Sequence, residues 1–210
     1  MTSERKSAFI LGGIAAIECS WVIWNLRLNG WRLFRYLGFA PGLTGAIPGW
    51  IAAALVVVIF VGFSLRLPSV RANLFRPSFL KFLAVLVAIG AGILEEVMFR
   101  RWTMNWLMAH GYGAIVQVLG AGLLFGLLHV VWGLMGRSLR VAAGAMLATG
   151  CLGLMLGIVY LLSGRSLAPC IVAHFLINLA IEPGLVLAAT RGEMASTSDL
   201  RPVTRLRERE

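Results

Sequence analysis

Long apolar runs set the terms for everything this chain can fold into. Six of them, over residues 8–26, 46–65, 79–98, 112–136, 141–163 and 167–189, approach the ~20 apolar residues needed to cross a hydrocarbon core. In lipid every backbone N–H and C=O must be satisfied within the protein, so only helices and closed barrels can span. No strand-like alternation is present, and the sequence predicts an all-α polytopic membrane bundle with about six transmembrane helices. Composition agrees: 59% of the 210 residues are hydrophobic and 13% charged, against about 25% charged in soluble domains.

Charge then sets the topology. The first apolar run follows Arg5 and Lys6 as a signal peptide would, but it contains Glu18 and reaches Trp21 and Trp24 without a small-residue cleavage site, so it reads as a retained helix. With the amino terminus inside, 13 basic residues fall on the inner side and 6 on the outer (Arg27, Arg32, Arg35, Arg100, Arg101, Arg165), which favours cytoplasmic termini. An interfacial helix over 31–37 would accommodate the outer cluster at Arg32 and Arg35. Another is expected over 101–110, where Trp102 and Trp106 suit headgroup depth and His110 a capping or solvated role. The net charge of +10 lies in connectors and tails rather than in a stripe, so no nucleic acid partner is expected. Arginine outnumbers lysine 17 to 2, a compositional sign of a bacterium and hence of its inner membrane. Cys19, Cys151 and Cys170 are odd in number and lack a C-x-x-C spacing, so they read as small packing residues.

By composition, residues 1–78 hold amino-terminal membrane helices and basic loops, residues 79–190 the helical core, and residues 191–210 a polar, charged tail expected to be disordered or surface-bound. The pairs Gly122/Gly126 and Gly153/Gly157 each form G-x-x-x-G, which permits close helix approach.

Against this background the ionisable groups in apolar runs stand out. A charge at the bilayer centre costs roughly 2.5 to 3.5 kcal/mol on insertion scales, so such residues face a bundle interior and mark function. Glu95 and Glu96 close one run; His129 lies in a second, His174 and Asn178 in a third. Helical neighbours diverge by about 100°, so Glu95 and Glu96 do not share a face, whereas Glu96 and Arg100 are spaced for an i,i+4 ion pair. The same spacing joins Phe125 to His129 and His174 to Asn178, with Glu182 one turn further. The blander readings are glutamates paired with Arg100 and Arg101 at an interface, and His129 as a hydrogen-bonded core histidine. Together, however, the set suits amide hydrolysis without a covalent intermediate. A glutamate can act as general base toward water, an imidazole can hold the same water, and an imidazole with a carboxamide can stabilise an oxyanion.

These residues fall into three ordered motifs: Glu95-Glu96-Val97-Met98-Phe99-Arg100 fits E-E-x-x-x-R, Phe125 to His129 fits F-x-x-x-H, and His174 to Asn178 fits H-x-x-x-N. In that order, on apolar helices, they resemble the CPBP family of intramembrane proteases, which includes CAAX prenyl endopeptidases of the Ras-converting type and bacteriocin-processing relatives. The resemblance covers roughly residues 79–189 and departs at no motif position. It implies a glutamate-type endopeptidase with no obligatory cofactor. Glu95 would activate water with help from His129, and His174 with Asn178 would form the oxyanion site. Glu96 and Arg100 would support them, and Phe125 would pack against the site. The implied partner is a membrane-associated protein or peptide in the lipid bilayer: a prenylated protein, a lipopeptide, a bacteriocin leader or a sorting signal.

Other readings of the same groups stay open. Glu95, His129 and His174 include zinc-competent ligands, although no H-E-x-x-H is present. A non-enzymatic scaffold or immunity protein would use the polar groups as interhelical glue, and a transporter would use them as a proton relay. The charge count also places Glu95 toward the outer end of its helix, at odds with a site that opens to the cytoplasm.

Overall fold

A computed structural model of the chain describes residues 1–131 and 139–193, so the expectations for the tail beyond residue 193 lie outside the described residues. The elements are α1 (Ser3–Asn29), α2 (Arg32–Tyr36), α3 (Ile47–Ser64), α4 (Pro68–Asn73), α5 (Phe79–Glu96), a π-helical segment (Val97–Met104), α6 (Asn105–Ala109), α7 (Ala114–Leu128), α8 (Leu139–Leu162), α9 (Ala168–Ile181) and α10 (Gly184–Arg191). All regular structure among the described residues is helical. Local sequence explains several of the ends. Thr2 and Ser78 accept hydrogen bonds from the Arg5 and Lys81 amides at the starts of α1 and α5, as N-cap hydroxyls do. Pro48 and Pro68 sit in first turns, where a missing N–H costs nothing. The short α2 occupies the place expected for an interfacial helix.

The chain is an integral membrane protein, but its spans are distributed differently from the expectation. Four helices are long and apolar enough to cross a membrane, five if the bent pair α9 and α10 counts as one, and α7 is a shorter apolar helix. Outward-facing Phe9, Ile17, Ile51, Leu55, Phe63, Ile115 and Leu123 are exposed, which is costly in water and suits contact with lipid.

Two corrections follow. The run that begins at Phe79 does not end near Met98, nor does a separate interfacial helix follow. Residues Phe79–Ala109 form one span of 31 residues, about 46 Å at 1.5 Å per residue. Glu95 is therefore near the middle of its helix rather than at its outer end, and Arg100 is fully buried instead of lying in a loop. The helix continues because its charges neutralise one another inside the bundle, as described below. Similarly, α7 stops at Leu128, and residues 132–136 of the expected run lie outside the described residues. Where an α-helix would give the Phe125 carbonyl to the residue 129 amide, the His129 ring takes it through Nδ1 at 2.8 Å. The His129 amide turns instead to the Gly126 carbonyl at 3.0 Å, a tighter turn that ends the helix.

α5 lies at the centre of the bundle, with α1 along one side and α9 along the other. Against it, α9 runs antiparallel: His174 lies beside Glu96, and the Lys81 ammonium donates to the carbonyls of Leu179 and Glu182 at the far end. This cation satisfies carbonyls that the end of a helix leaves open. Along the α7–α8 seam the glycine pairs act as expected. A Cβ on Gly126 would stand 2.6 Å from the Met146 carbonyl oxygen, and one on Gly153 3.0 Å from Gly122 Cα and from Phe125 Cβ, so only glycine allows this separation. Glu182, at the end of α9, is buried and accepts the Val186 amide, which makes it a structural cap of α10.

Candidate active site

The site is assembled at mid-bundle by α5, its π-helical continuation, α7, α8 and α9. Glu96 and Arg100 are both fully buried. One carboxylate oxygen of Glu96 accepts Arg100 Nη1 at 3.1 Å, and the other forms an ion pair with Arg100 Nε at 3.1 Å. The guanidinium then donates Nη2 to the Gly153 carbonyl at 3.0 Å and lies 5.1 Å from the centre of the Phe125 ring. A buried charge is tolerated when it is paired and hydrogen-bonded, and this arginine, ion-paired with Glu96 through Nε and donating Nη1 and Nη2, ties three helices together. The predicted i,i+4 pair is thus present.

The third partner of Glu96 is His174. Its Nδ1 stands 2.7 Å from Glu96 Oε1, and its Nε2 stands 3.8 Å from Glu95 Oε2. The two glutamates indeed leave α5 in different directions, yet both reach one imidazole, from opposite edges. α9 packs on α5 at Gly92, where a Cβ would make ordinary contact with the Ile171 carbonyl and the Phe175 amide at 3.4 Å. Because the Arg100-bound carboxylate is an acceptor only, the proton of the Glu96–His174 bond belongs to Nδ1. The neutral ring therefore turns an Nε2 lone pair toward Glu95, and the doubly protonated ring turns an N–H there.

His129 is fixed by the same logic. A carbonyl only accepts, so Nδ1 carries the proton it gives to Phe125, leaving Nε2 free as an acceptor. The buried Phe125 ring lies between the two imidazoles, 4.8 Å from His129 and 5.8 Å from His174, with Phe99 edge-on at 5.1 Å. Asn178, half-buried, sits one turn beyond His174 on α9. Glu95 differs from its neighbour in its partner: the buried Oε2 of each glutamate makes no hydrogen bond, but that of Glu96 is ion-paired with Arg100 Nε at 3.1 Å, whereas that of Glu95 faces His174 Nε2 at 3.8 Å.

Five of the seven residues singled out from sequence, Glu95, Glu96, Arg100, Phe125 and His174, form one contact network, with His129 joined through Phe125. Asn178 shares a helix with His174 without a direct contact to the rest. His110 caps α6 and stacks on Trp106 at 4.2 Å, remote from this cluster. Among the described residues no three His, Cys, Asp or Glu side chains converge as a metal centre would require, and the three cysteines are free.

Sequence reasoning missed two contributors. The π-helical segment Val97–Met104 is one; Arg100 lies within it, and such segments recur at functional sites. The Gly153 carbonyl that receives Arg100 is the other, and a backbone group leaves no signal in residue types.

Residues 77–180 match the family described as type II CAAX prenyl endopeptidase Rce1-like. That segment contains all three motifs and every residue of the network. No curated protein and no solved structure matches the chain.

Proposed function

The chain belongs to the Rce1-like family of type II CAAX prenyl endopeptidases, a family of intramembrane CAAX-type peptidases that act on membrane-associated proteins, and from that premise we propose that it hydrolyses a peptide bond of such a substrate by glutamate-activated water. The observation that carries this reading is the asymmetry at His174: one edge is clamped by the Glu96–Arg100 pair, and the other is presented to the unpaired oxygen of Glu95.

In the proposed mechanism Glu95 takes a proton from water, and His129 Nε2, its tautomer set by the Phe125 carbonyl, helps to hold that water. The hydroxide attacks the scissile carbonyl. Doubly protonated His174, flanked by two carboxylates, donates Nε2–H to the oxyanion, and the Asn178 carboxamide assists; one such donor is worth about 2.7 to 4 kcal/mol of barrier. Glu95 then passes its proton to the leaving amine, which balances the reaction. Glu96 and Arg100 position His174 without touching substrate. The mechanism needs no metal. The proposed setting is a bacterial inner membrane with cytoplasmic termini. Prenylated proteins, lipopeptides, bacteriocin leaders and sorting signals all present the apolar anchor that would bring a scissile bond to mid-bundle.

The test is cleavage of a fluorogenic farnesylated peptide with a CAAX terminus by purified protein in proteoliposomes, alongside an unprenylated control, with and without a zinc chelator. Chelator-resistant cleavage that disappears in folded Glu95→Gln is the expected outcome. Cleavage retained in that variant, or lost on chelation, refutes the mechanism.

A further inference from the structure

One buried carboxyl remains outside this account. Glu18, on membrane helix α1, is 7% exposed, and its Oε2 is buried without a hydrogen-bond partner. It belongs to the segment before residue 77, beyond the family match. An apolar residue would serve packing better at this position, since a carboxyl left in a membrane interior without a counter-charge costs free energy and usually marks function.

Its placement is specific. α1 runs parallel to α5 and presses on it at Gly90, where a Cβ would stand 2.5 Å from Glu18 Cβ and 3.1 Å from Oε2. The missing side chain of Gly90 is what admits Glu18 to the surface of α5, and the neighbouring Ala91 packs in one buried cluster with Ala15 of α1. Glu95 lies four residues beyond Ala91, on the same face. Helical side chains lean toward the amino terminus of their helix, so the Glu95 carboxyl covers the turn that Glu18 touches. The two are close enough for their charges to interact, and each has one oxygen buried with no hydrogen-bond partner. Arg100, in the π-helical segment after α5, is committed to Glu96 and the Gly153 carbonyl, and the group that faces Glu95 from α9 is the His174 ring, with Nε2 at 3.8 Å from Oε2.

We propose that Glu18 is a positioning residue of the active site, a third carboxyl that α1 brings to Glu95 so that the two share a single proton. Two carboxylates side by side in a low-dielectric interior do not both ionise. With the proton on Glu18, the pair carries one negative charge, and Glu95 is the anion that receives the proton of water. The peptide-bond chemistry is unchanged; Glu18 acts through Glu95. This inference rests on the proposed mechanism, and it gives the amino-terminal helices a part in the reaction that the three motifs do not contain.

The experiment has two arms. In the first, kcat and KM for the farnesylated peptide are measured for Glu18→Leu and Glu18→Gln, with thermal stability followed in parallel. The leucine variant should stay folded and lose about tenfold or more in kcat, equivalent to ~1.4 kcal/mol of barrier, at unchanged KM. Glutamine, which keeps the shape and polarity of a neutral carboxyl, should recover most of that loss. A purely structural role would leave kcat of the folded leucine variant at the wild-type level, and that result would overturn the proposal. In the second arm, dicyclohexylcarbodiimide, an apolar reagent for protonated carboxyls, is applied to wild type and to Glu95→Gln in membranes, and adducts at Glu18 are quantified by mass spectrometry. Labelling of Glu18 in wild type that drops at least severalfold without the Glu95 charge supports a shared proton; equal labelling, or none in wild type, refutes it. Because this arm needs no turnover, it still reads if the proposed peptidase mechanism fails.

Discussion

The two faces of α5 that carry Glu96 and Glu95 are completed in opposite ways. Toward α9, Glu96 receives Arg100 and His174, and Arg100 is in turn bound by the Gly153 carbonyl and the Phe125 ring. Toward α1, Glu95 and Glu18 each retain a buried oxygen without a hydrogen bond. Glu96 Oε2 also lacks a hydrogen bond but lies 3.1 Å from Arg100 Nε, so adjacent residues of the same type occupy a site closed by a guanidinium and one that is not. Free energy is recovered in the first by pairing, which makes it rigid; in the second it is left unrecovered, which leaves capacity for a proton, a water or a substrate.

This contrast can be broken at its strongest point. Arg100→Ala strands the Glu96 carboxylate in the bundle interior and removes the tie to α8, so it should cost about 3 to 5 kcal/mol, read as a large drop in thermal stability in detergent together with lost cleavage. Glu95→Gln should do the reverse. It removes a charge that faces only the His174 ring, at 3.8 Å, and no guanidinium, so stability should change little, while cleavage of the farnesylated peptide falls by about 10² to 10⁴, the range for a lost general base. If both variants behaved alike, the distinction between the two faces would be wrong.

Smaller perturbations sharpen the comparison by testing regions that carry neither charge cluster. Gly126→Ala drives a Cβ against the backbone oxygen of Met146, which cannot rotate away; overpacking of this kind costs about 1 to 3 kcal/mol, measurable as a shift in melting temperature. Tyr160→Phe removes one long hydrogen bond, from the tyrosine hydroxyl to Asn105 at 3.3 Å. It should cost no more than about 0.5 to 1.5 kcal/mol and leave kcat and KM unchanged, because Asn105 also receives Arg165 at 2.7 Å.

Much of the polar network was legible because helical spacing is regular. Glu96 and Arg100, and Phe125 and His129, meet at four-residue separations that any helix would supply. The breaks in regularity were not legible. Hydropathy ended one span near Met98 because residues 101–110 are less apolar than their neighbours, but Arg100 finds its partners inside and the helix runs on to Ala109. Arg101, by contrast, does reach the end of the bundle, where it donates to the Tyr36 carbonyl of α2 and lies over the Tyr36 ring. Two adjacent arginines with one sequence signal therefore have opposite fates, and only contacts with other helices separate them. The same holds at His129, whose ring competes for a backbone carbonyl and ends a helix that hydropathy would extend to residue 136. Glu18 was visible as a charge in an apolar run, but nothing in the spacing of residues linked it to Glu95.

Apolar length and the rule that backbone polar groups must be satisfied in lipid were enough to determine an all-helical membrane bundle, and the order of three short motifs was enough to determine the family. Which carboxylate is closed by a guanidinium and which is left open was decided by tertiary structure. That choice depends on α9 bringing His174 to Glu96, on α8 offering the Gly153 carbonyl to Arg100, and on Gly90 admitting Glu18. A glycine contributes there by what it lacks, and the consequence of an absent side chain exists only where another helix fills the space.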